Sequence, residues 1–262
     1  MDRYIQNQFR KGLDAPVATL LESMKYAIEG GKRIRAFLVM EGAVLAGEEP
    51  EQVLPTAAAA ESFHTYSLIH DDLPSMDNAL ERRGLPSVHA KYGEATAILA
   101  GDSLLPLGFQ WIGEDQREFS SADRVLKVVA LYSRALGTEA LTGGQYLDLL
   151  PADNFASHEE ILKRKTASLI QASLLSGAIL GGMSQTLLES LKEFGLKLGM
   201  AYQWMDDLLD WDEDPRPSKM GLQEVRGRAQ SATRESLDAL AAFGERAERL
   251  RELSRHLAER SQ

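Results

Sequence analysis

The stretch Val125-Leu-Lys-Val-Val-Ala-Leu-Tyr-Ser-Arg-Ala-Leu136 sets Val125, Val128, Val129, Tyr132 and Leu136 at i, i+3, i+4, i+7 and i+11. That spacing puts five apolar side chains on one face of an α-helix. The same period recurs along nearly the whole chain and alternating strand patterns are missing, so the sequence predicts an all-α fold. Breaks fall at Gly30-Gly31, Gly47 to Pro50, Pro74, Gly84 to Pro86, Pro151, Gly181-Gly182 and Pro215 to Pro217. They divide the chain into roughly eight to ten helical segments. Ser157 and Glu160 have capping-box spacing and open a segment that runs to about Gly181. From Gly221 onward, Glu and Arg accompany Leu237, Leu240, Leu250, Leu253 and Leu257, spaced for one or two amphipathic helices. No repeat, low-complexity tract or linker divides the chain, which reads as one domain over residues 1–262.

With 262 residues, 44% of them hydrophobic, the chain can bury a large core. Lys plus Arg number 29 against 39 Asp plus Glu, a net charge of −10, which excludes a general basic surface for nucleic acid. Any polyanionic ligand must be met by local cations or by metal ions. Cysteine is absent, which removes disulfides, thiolate metal sites and thiol nucleophiles. The first residues, MDRYIQNQFRKGLD, lack a signal-type apolar core, and no apolar run approaches membrane-spanning length. A soluble cytoplasmic protein is the expectation.

Two acidic clusters stand out. Ser67-Leu-Ile-His-Asp-Asp-Leu-Pro-Ser-Met-Asp77 places Asp71, Asp72 and Asp77 at the end of an apolar helical run. Pro74 would clash with the carbonyl of His70, so the helix should stop there and let Asp77 curl back beside Asp71. The second, Met205-Asp-Asp-Leu-Leu-Asp210, puts Asp206 and Asp210 on one helix face, with Asp207 at its edge. A single such cluster reads most simply as solvated helix-end carboxylates. Two on core-type helices, brought together, would repel by about 4 kcal/mol per close pair at an effective dielectric of 20 and so call for cations. Oxygen ligands without Cys point to a hard ion such as Mg²⁺, which shares its shell with water and substrate phosphates.

Matching cations lie nearby in sequence. Gly30-Gly31-Lys32-Arg33-Ile34-Arg35 carries Lys32 and Arg35 at i, i+3 where a helix begins, a place suited to one anion. Arg82-Arg83-Gly84 follows the first acidic cluster. His64 sits two turns before Asp71, and Lys165-Thr166 lies inside a helical segment. Alone, Arg82-Arg83 would be a surface pair and His64 a core histidine.

Taken in order, these segments resemble the trans-prenyltransferase (polyprenyl synthase) family, most closely the short-chain bacterial farnesyl and geranylgeranyl diphosphate synthases. GGKRIR is similar to the family's GGKR-x-R segment, with Ala36 where Pro is usual. HTYSLIHDDLPSMDN with RRGLPSVH is similar to its first Asp-rich motif and Arg pair. GGQYLDL at 143–149, KTASLI at 165–170 and AYQWMDDLLD at 201–210 follow in the family's order. The resemblance implies an all-α single-domain bundle around a central cavity, with the Asp clusters facing each other across its mouth, Asp71 within roughly 15 Å of Asp206. It implies that Lys32, Arg35, His64 and Arg83 hold isopentenyl diphosphate and that Arg82 contacts the allylic diphosphate. That diphosphate would share three Mg²⁺ with Asp71, Asp77 and Asp206, while Asp72, Asp207 and Asp210 act nearby or through water. Lys165, Thr166 and Gln203 would face the allylic carbon and its leaving group. A homodimer is implied, with residues 94–112 and 122–136 as candidate faces. Tyr66, five residues before Asp71, would stand about 7.5 Å down the helix as a floor to the growing chain and set farnesyl diphosphate as product. Geranylgeranyl diphosphate is the alternative.

One departure concerns the stretch after Asp210. The family's long lysine-bearing loop is missing there, and Asp210 to Arg216 runs directly into Pro217-Ser-Lys-Met-Gly-Leu222. Either the lid is deleted, weakening closure over substrate, or residues are left out of the sequence, which the matching flanks favour. Lys219 belongs to the following helix on this alignment and is not a substitute. An HD-type phosphohydrolase would explain His70-Asp71 but neither the second cluster nor GGKRIR. A class I terpene cyclase would carry Asn, Ser and Glu in the second motif. A catalytically silent partner subunit fits the missing lid but not the intact Asp clusters.

Overall fold

The computed structural model describes residues 1–10, 17–150, 157–211 and 220–259. Among them the chain forms thirteen α-helices. The first seven are α1 (Asp2–Arg10), α2 (Ala18–Ile28), α3 (Ile34–Ala46), α4 (Leu54–Asp71), α5 (Val88–Tyr92), α6 (Glu94–Gly113) and α7 (Ala122–Leu136). There follow α8 (Leu141–Leu149), α9 (His158–Leu162), α10 (Ser168–Leu180), α11 (Gln185–Leu209), α12 (Leu222–Ala239) and α13 (Glu248–Glu259). The all-α expectation holds. The segment count is higher than expected because Gly93, residues 114–121, residues 137–140 and residues 240–247 also interrupt the helical pattern.

The sequence reading missed one strand pair. Glu81–Arg82 (β1) pairs antiparallel with Leu85–Pro86 (β2), with Arg82 opposite Leu85. Arg83 at φ 56° and Gly84 at φ 73° form the two-residue connection, the left-handed pair that a tight hairpin turn demands. Two residues are too few for strand periodicity to register.

The helix centred in the core is α4, whose Ala57 to Ala60 are fully buried. Small side chains there let neighbours approach, and Phe63 one turn on fills the space, its ring 4.9 Å from Phe109 and 4.8 Å from Tyr132. A fully buried Phe contributes about 2–3 kcal/mol. On α7, Val125, Val128, Tyr132 and Leu136 are buried as the periodicity requires, and Val129 is partly so. Helices α3 and α10 pack backbone against backbone. A Cβ at Gly42 would lie 2.1 Å from the Leu174 carbonyl, and one at Gly177 1.8 Å from the Val39 carbonyl, so the two backbones touch only because both residues are glycine.

The capping prediction at Ser157 is met: its Oγ accepts from the Glu160 N–H at 3.2 Å. From there α9, one π-helical turn (Lys163–Ala167) and α10 run without a break to Leu180. The C-terminal stretch divides into α12 and α13, as its leucine spacing allowed. No helix among the described residues is long and apolar enough to cross a membrane. Pro151, Pro215, Pro217, Lys219 and most of the segment after Asp210 lie outside the described residues.

Candidate active site

One cavity of about 350 Å³ gathers most of the residues singled out from sequence: Lys32, Arg35, His64, Asp71, Arg82, Arg83, Lys165, Thr166, Gln203 and Asp206 all line it. They come from the start of α3, the last turns of α4, the hairpin, the π turn and the C-terminal half of α11. One carboxylate from each acidic cluster, Asp71 and Asp206, therefore lines the same cavity, with the cations beside them.

Pro74 acts as its chemistry requires. Helix α4 ends at Asp71, and the turn brings the Asp77 N–H to donate to the Asp71 carbonyl at 2.9 Å. Asp77 itself is exposed and does not line the cavity. Burial pushes the Asp71 carboxyl up to about 6, with Lys165 opposing the shift and Asp77 and Asp72 adding to it. A carboxyl in that condition gains from an added cation. Among the described residues no three His, Asp or Glu side chains converge in one coordination shell. Hard oxygen donors that lack a closed cage fit Mg²⁺, whose shell is completed by water and phosphate oxygens.

Asp72 and Asp207 have other duties. Asp72, 2% exposed, accepts from Arg82 through Nε at 2.9 and 2.8 Å and through Nη2 at 2.6 Å. This fixes the guanidinium at the cavity edge. Asp207, 5% exposed, turns away from the cavity and accepts from His158 Nε2 at 2.8 Å. Asp210, at the end of α11, is exposed.

The cationic wall is held by a residue that the sequence reading overlooked. Glu61 is buried, accepts from the Ala36 N–H at 2.9 Å and stands 3.8 Å from Arg33. Ala36 N–H is thus already used, leaving fewer free amides at the start of α3 for an anion. Arg33 takes a left-handed backbone, φ 57°, and bonds to Asp2 and to the Ile28 carbonyl. Glu61 lies one turn before His64 on α4, so helical spacing from His64 could have found it.

Burial lowers the affinity of Arg35 for its proton, and burial followed by repulsion from Arg82 does the same to Arg83. His64 is held well below 6.5 by burial first, then by Arg35, Arg83 and Arg82. The buried His64 Nδ1, Arg35 Nε and both amide atoms of Gln145 have no hydrogen-bond partner among the described residues. Orphaned buried polar atoms gathered around one cavity suit a polar ligand that would satisfy them. Folding keeps His64 neutral while the unfolded chain protonates it below 6.5. The stability it supports is therefore present above 6.5 and lost as pH falls from there toward its lowered folded value. The melting temperature of His64→Gln should fall less steeply than that of wild type as pH is lowered below 6.5; parallel slopes would contradict this.

Across the cavity, Lys165 Nζ donates to Asp148 at 2.7 Å, and Thr166 Oγ1 donates to Gln203 Oε1 at 2.9 Å. The π turn lets these consecutive residues serve one cavity, a use of π geometry that recurs at functional sites. Neighbouring backbones close on it through two glycines. A Cβ on Gly144 would lie 2.3 Å from Lys165 N, and one on Gly199 2.5 Å from Ala167 Cα. Gln145 and Asp148 both belong to the GGQYLDL segment, whose order was legible but whose roles were not. Tyr202 also lines the cavity.

Tyr66 does not line the cavity; Ser67 and Leu68 do. Its ring stands edge-on to His70 at 5.6 Å.

The polyprenyl synthetase family model matches residues 17–224, spanning every segment that builds this cavity. The chain belongs to the polyprenyl synthetase family. It is 41% identical over 214 residues to the farnesyl diphosphate synthase of Geobacillus stearothermophilus, covering 80% of this chain and 70% of that one. It is also 41% identical over 196 residues to the geranylgeranyl diphosphate synthase of Cyanophora paradoxa, covering 73% of this chain and 65% of that one. The crystal structure of geranyltransferase from Legionella pneumophila superposes with a TM-score of 0.90 at 31% identity, covering 99% of this chain and 93% of that one. The family's helical fold and its prenyltransferase class therefore apply to this chain.

Proposed function

We propose that the chain condenses isopentenyl diphosphate with dimethylallyl and geranyl diphosphates to give farnesyl diphosphate in an Mg²⁺-dependent reaction. The observation that carries this reading is the cavity itself, with Asp71 and Asp206 beside cations and the buried polar atoms of Arg35, His64 and Gln145 left without partners among the described residues.

In this reading Lys32, Arg35, His64 and Arg83 bind the isopentenyl diphosphate, and Arg82, oriented by Asp72, takes the allylic diphosphate. Asp71 and Asp206, with Asp77 beside Asp71, would hold Mg²⁺. Bound Mg²⁺ supplies Lewis acidity that stabilises charge on the leaving diphosphate. Lys165 stands ready to transfer its charge from Asp148 to that leaving group. The Gln203 carbonyl oxygen, with Thr166 beside it, offers oxygen dipoles to an allylic cation, and Ile34, Leu68 and Leu141 on the cavity wall keep the site apolar between its charged poles. A silent partner subunit would have no use for both poles intact.

Geranylgeranyl diphosphate is the second reading, favoured by the position of Tyr66 away from the cavity wall. The test is incubation with dimethylallyl and isopentenyl diphosphates plus Mg²⁺, with product lengths measured. Fifteen-carbon product is expected from wild type, and product longer by at least one isoprene unit from Tyr66→Ala. An unchanged distribution in Tyr66→Ala places chain-length control elsewhere, and no prenyl product from wild type defeats the synthase reading.

A homodimer is the proposed assembly. Of the two candidate faces, Ala97, Leu104, Trp111, Ile112, Val128 and Tyr132 belong to the core. Ile98, Leu99 and Leu126 remain exposed, at 39%, 54% and 67%. Sedimentation should give twice the 28.9 kDa chain mass; a monomer at micromolar concentration would refute it.

A further inference from the structure

Behind the second acidic motif runs a chain of hydrogen bonds that leads out of the cavity. Thr166 Oγ1 donates to Gln203 Oε1 at 2.9 Å, Gln203 Nε2 donates to Asp207 Oδ1 at 3.3 Å, and His158 Nε2 donates to Asp207 Oδ2 at 2.8 Å. The His158 ring stands 5.4 Å from Trp204, edge to face, and Arg228 covers Trp204 at 5.6 Å. The side chains of His158 and Asp207 are only 14% and 5% exposed. The node therefore ties α9, α11 and α12 together immediately beneath the reacting end of the cavity.

An ionised carboxylate can only accept hydrogen bonds. Asp207 therefore obliges the Gln203 carboxamide to turn its NH₂ away from the cavity and its oxygen toward Thr166. A flipped amide would set its carbonyl oxygen against the acceptor-only carboxylate of Asp207 and present the positive end of its dipole where an allylic cation forms. His158, by occupying the other carboxylate oxygen, holds Asp207 in the rotamer that does this.

We propose that His158 and Asp207 are positioning residues that fix the amide orientation of Gln203, so that its carbonyl oxygen faces the developing cation. The inference rests on the synthase reading above and extends it to two residues outside the cavity. Because the interaction matters most when positive charge develops, its loss should show in kcat and leave KM nearly untouched.

The test is a double-mutant cycle on the full-length chain, read by steady-state kinetics with dimethylallyl and isopentenyl diphosphates. His158→Leu is expected to lower kcat about tenfold or more, with both KM values within about twofold of wild type. His158→Gln, which retains an N–H donor toward Asp207, should recover most of that loss. In a Gln203→Leu background His158→Leu should have little further effect, since the two act as one unit. Equal losses in both backgrounds would reduce His158 to a structural tie and overturn the proposal, as would a rise in KM with kcat unchanged. A second readout does not need turnover. In ¹⁵N spectra of the free protein, the Gln203 side-chain amide pair, assigned by its absence in Gln203→Leu, should shift in His158→Leu and return toward wild type in His158→Gln. Unaltered Gln203 amide resonances in His158→Leu would overturn the proposal whether or not the protein turns substrate over. Absence of turnover in wild type would defeat the synthase reading alone.

Discussion

Asp71→Ala and Asp206→Ala are each expected to lower kcat by about a hundredfold or more while the protein remains folded. Metal ions stabilise several kcal/mol of leaving-group charge, and each 1.4 kcal/mol lost from the transition state is about a tenfold loss in rate. The two residues approach one cavity from α4 and from α11, so neither can take over the other's position. Stability should not follow activity. Burial already disfavours the ionised form of Asp71, whose carboxyl is pushed up to about 6, and removing it relieves repulsion with Asp77 and Asp72. Calorimetric titration with Mg²⁺ and a non-hydrolysable diphosphate, beside a thermal melt, separates the two effects. Near-normal turnover in either variant would remove the metal mechanism, and loss of the folded state would show the carboxylate to be structural.

Arg82→Ala is expected to destabilise the fold as well as weaken allylic diphosphate binding. The Asp72 side chain is 3% exposed and its bonds to Arg82 reach down to 2.6 Å. Without the guanidinium, a buried carboxylate is left uncompensated. Breaking a buried pair costs about 3–5 kcal/mol; because the Arg82 side chain is 36% exposed and solvent screens it, about 2–3 kcal/mol is the expected loss here. The double variant Arg82→Ala with Asp72→Asn should regain much of the stability, since the stranded charge is gone, yet recover none of the diphosphate affinity. Urea unfolding and substrate KM measure the two separately. Equal stability of the single and double variants would show that the pair carries no buried charge cost.

The two predictions treat neighbouring aspartates oppositely, and the structure supplies the reason. Residues 71 and 72, like 206 and 207, are adjacent in sequence, and on a helix adjacent side chains point about 100° apart. One member of each pair meets the cavity, and the other turns into the protein and needs a counter-charge or donor. Arg82 serves Asp72, and His158 with Gln203 serves Asp207. The family resemblance already set Asp71 and Asp206 apart from Asp72 and Asp207, but the partners that Asp72 and Asp207 need could not be read from the sequence.

Local order determined much of this protein. The apolar period established the helices, Pro74 the end of α4 and the return of Asp77 to the Asp71 carbonyl, and Ser157 with Glu160 the start of the long segment to Leu180. Charge and residue type drew out Lys32, Arg35 and the acidic pairs, while His64, Arg82 and Arg83 were marked by the order of motifs that carries the family resemblance. Tertiary structure decided what depends on contacts between distant segments. Glu61 matters because α3 begins beside it, and Asp148 because a π turn brings Lys165 to it. His158 matters because α9 lies against α11. The hairpin rests on two left-handed residues and is too short to leave a period. Tyr66 stands on α4 before Asp71 as its spacing requires, yet its ring packs edge-on against His70 one turn on and is not among the side chains lining the cavity. Spacing along one helix gives height and approximate face; only the helices packed around it determine whether a side chain meets the cavity or the core.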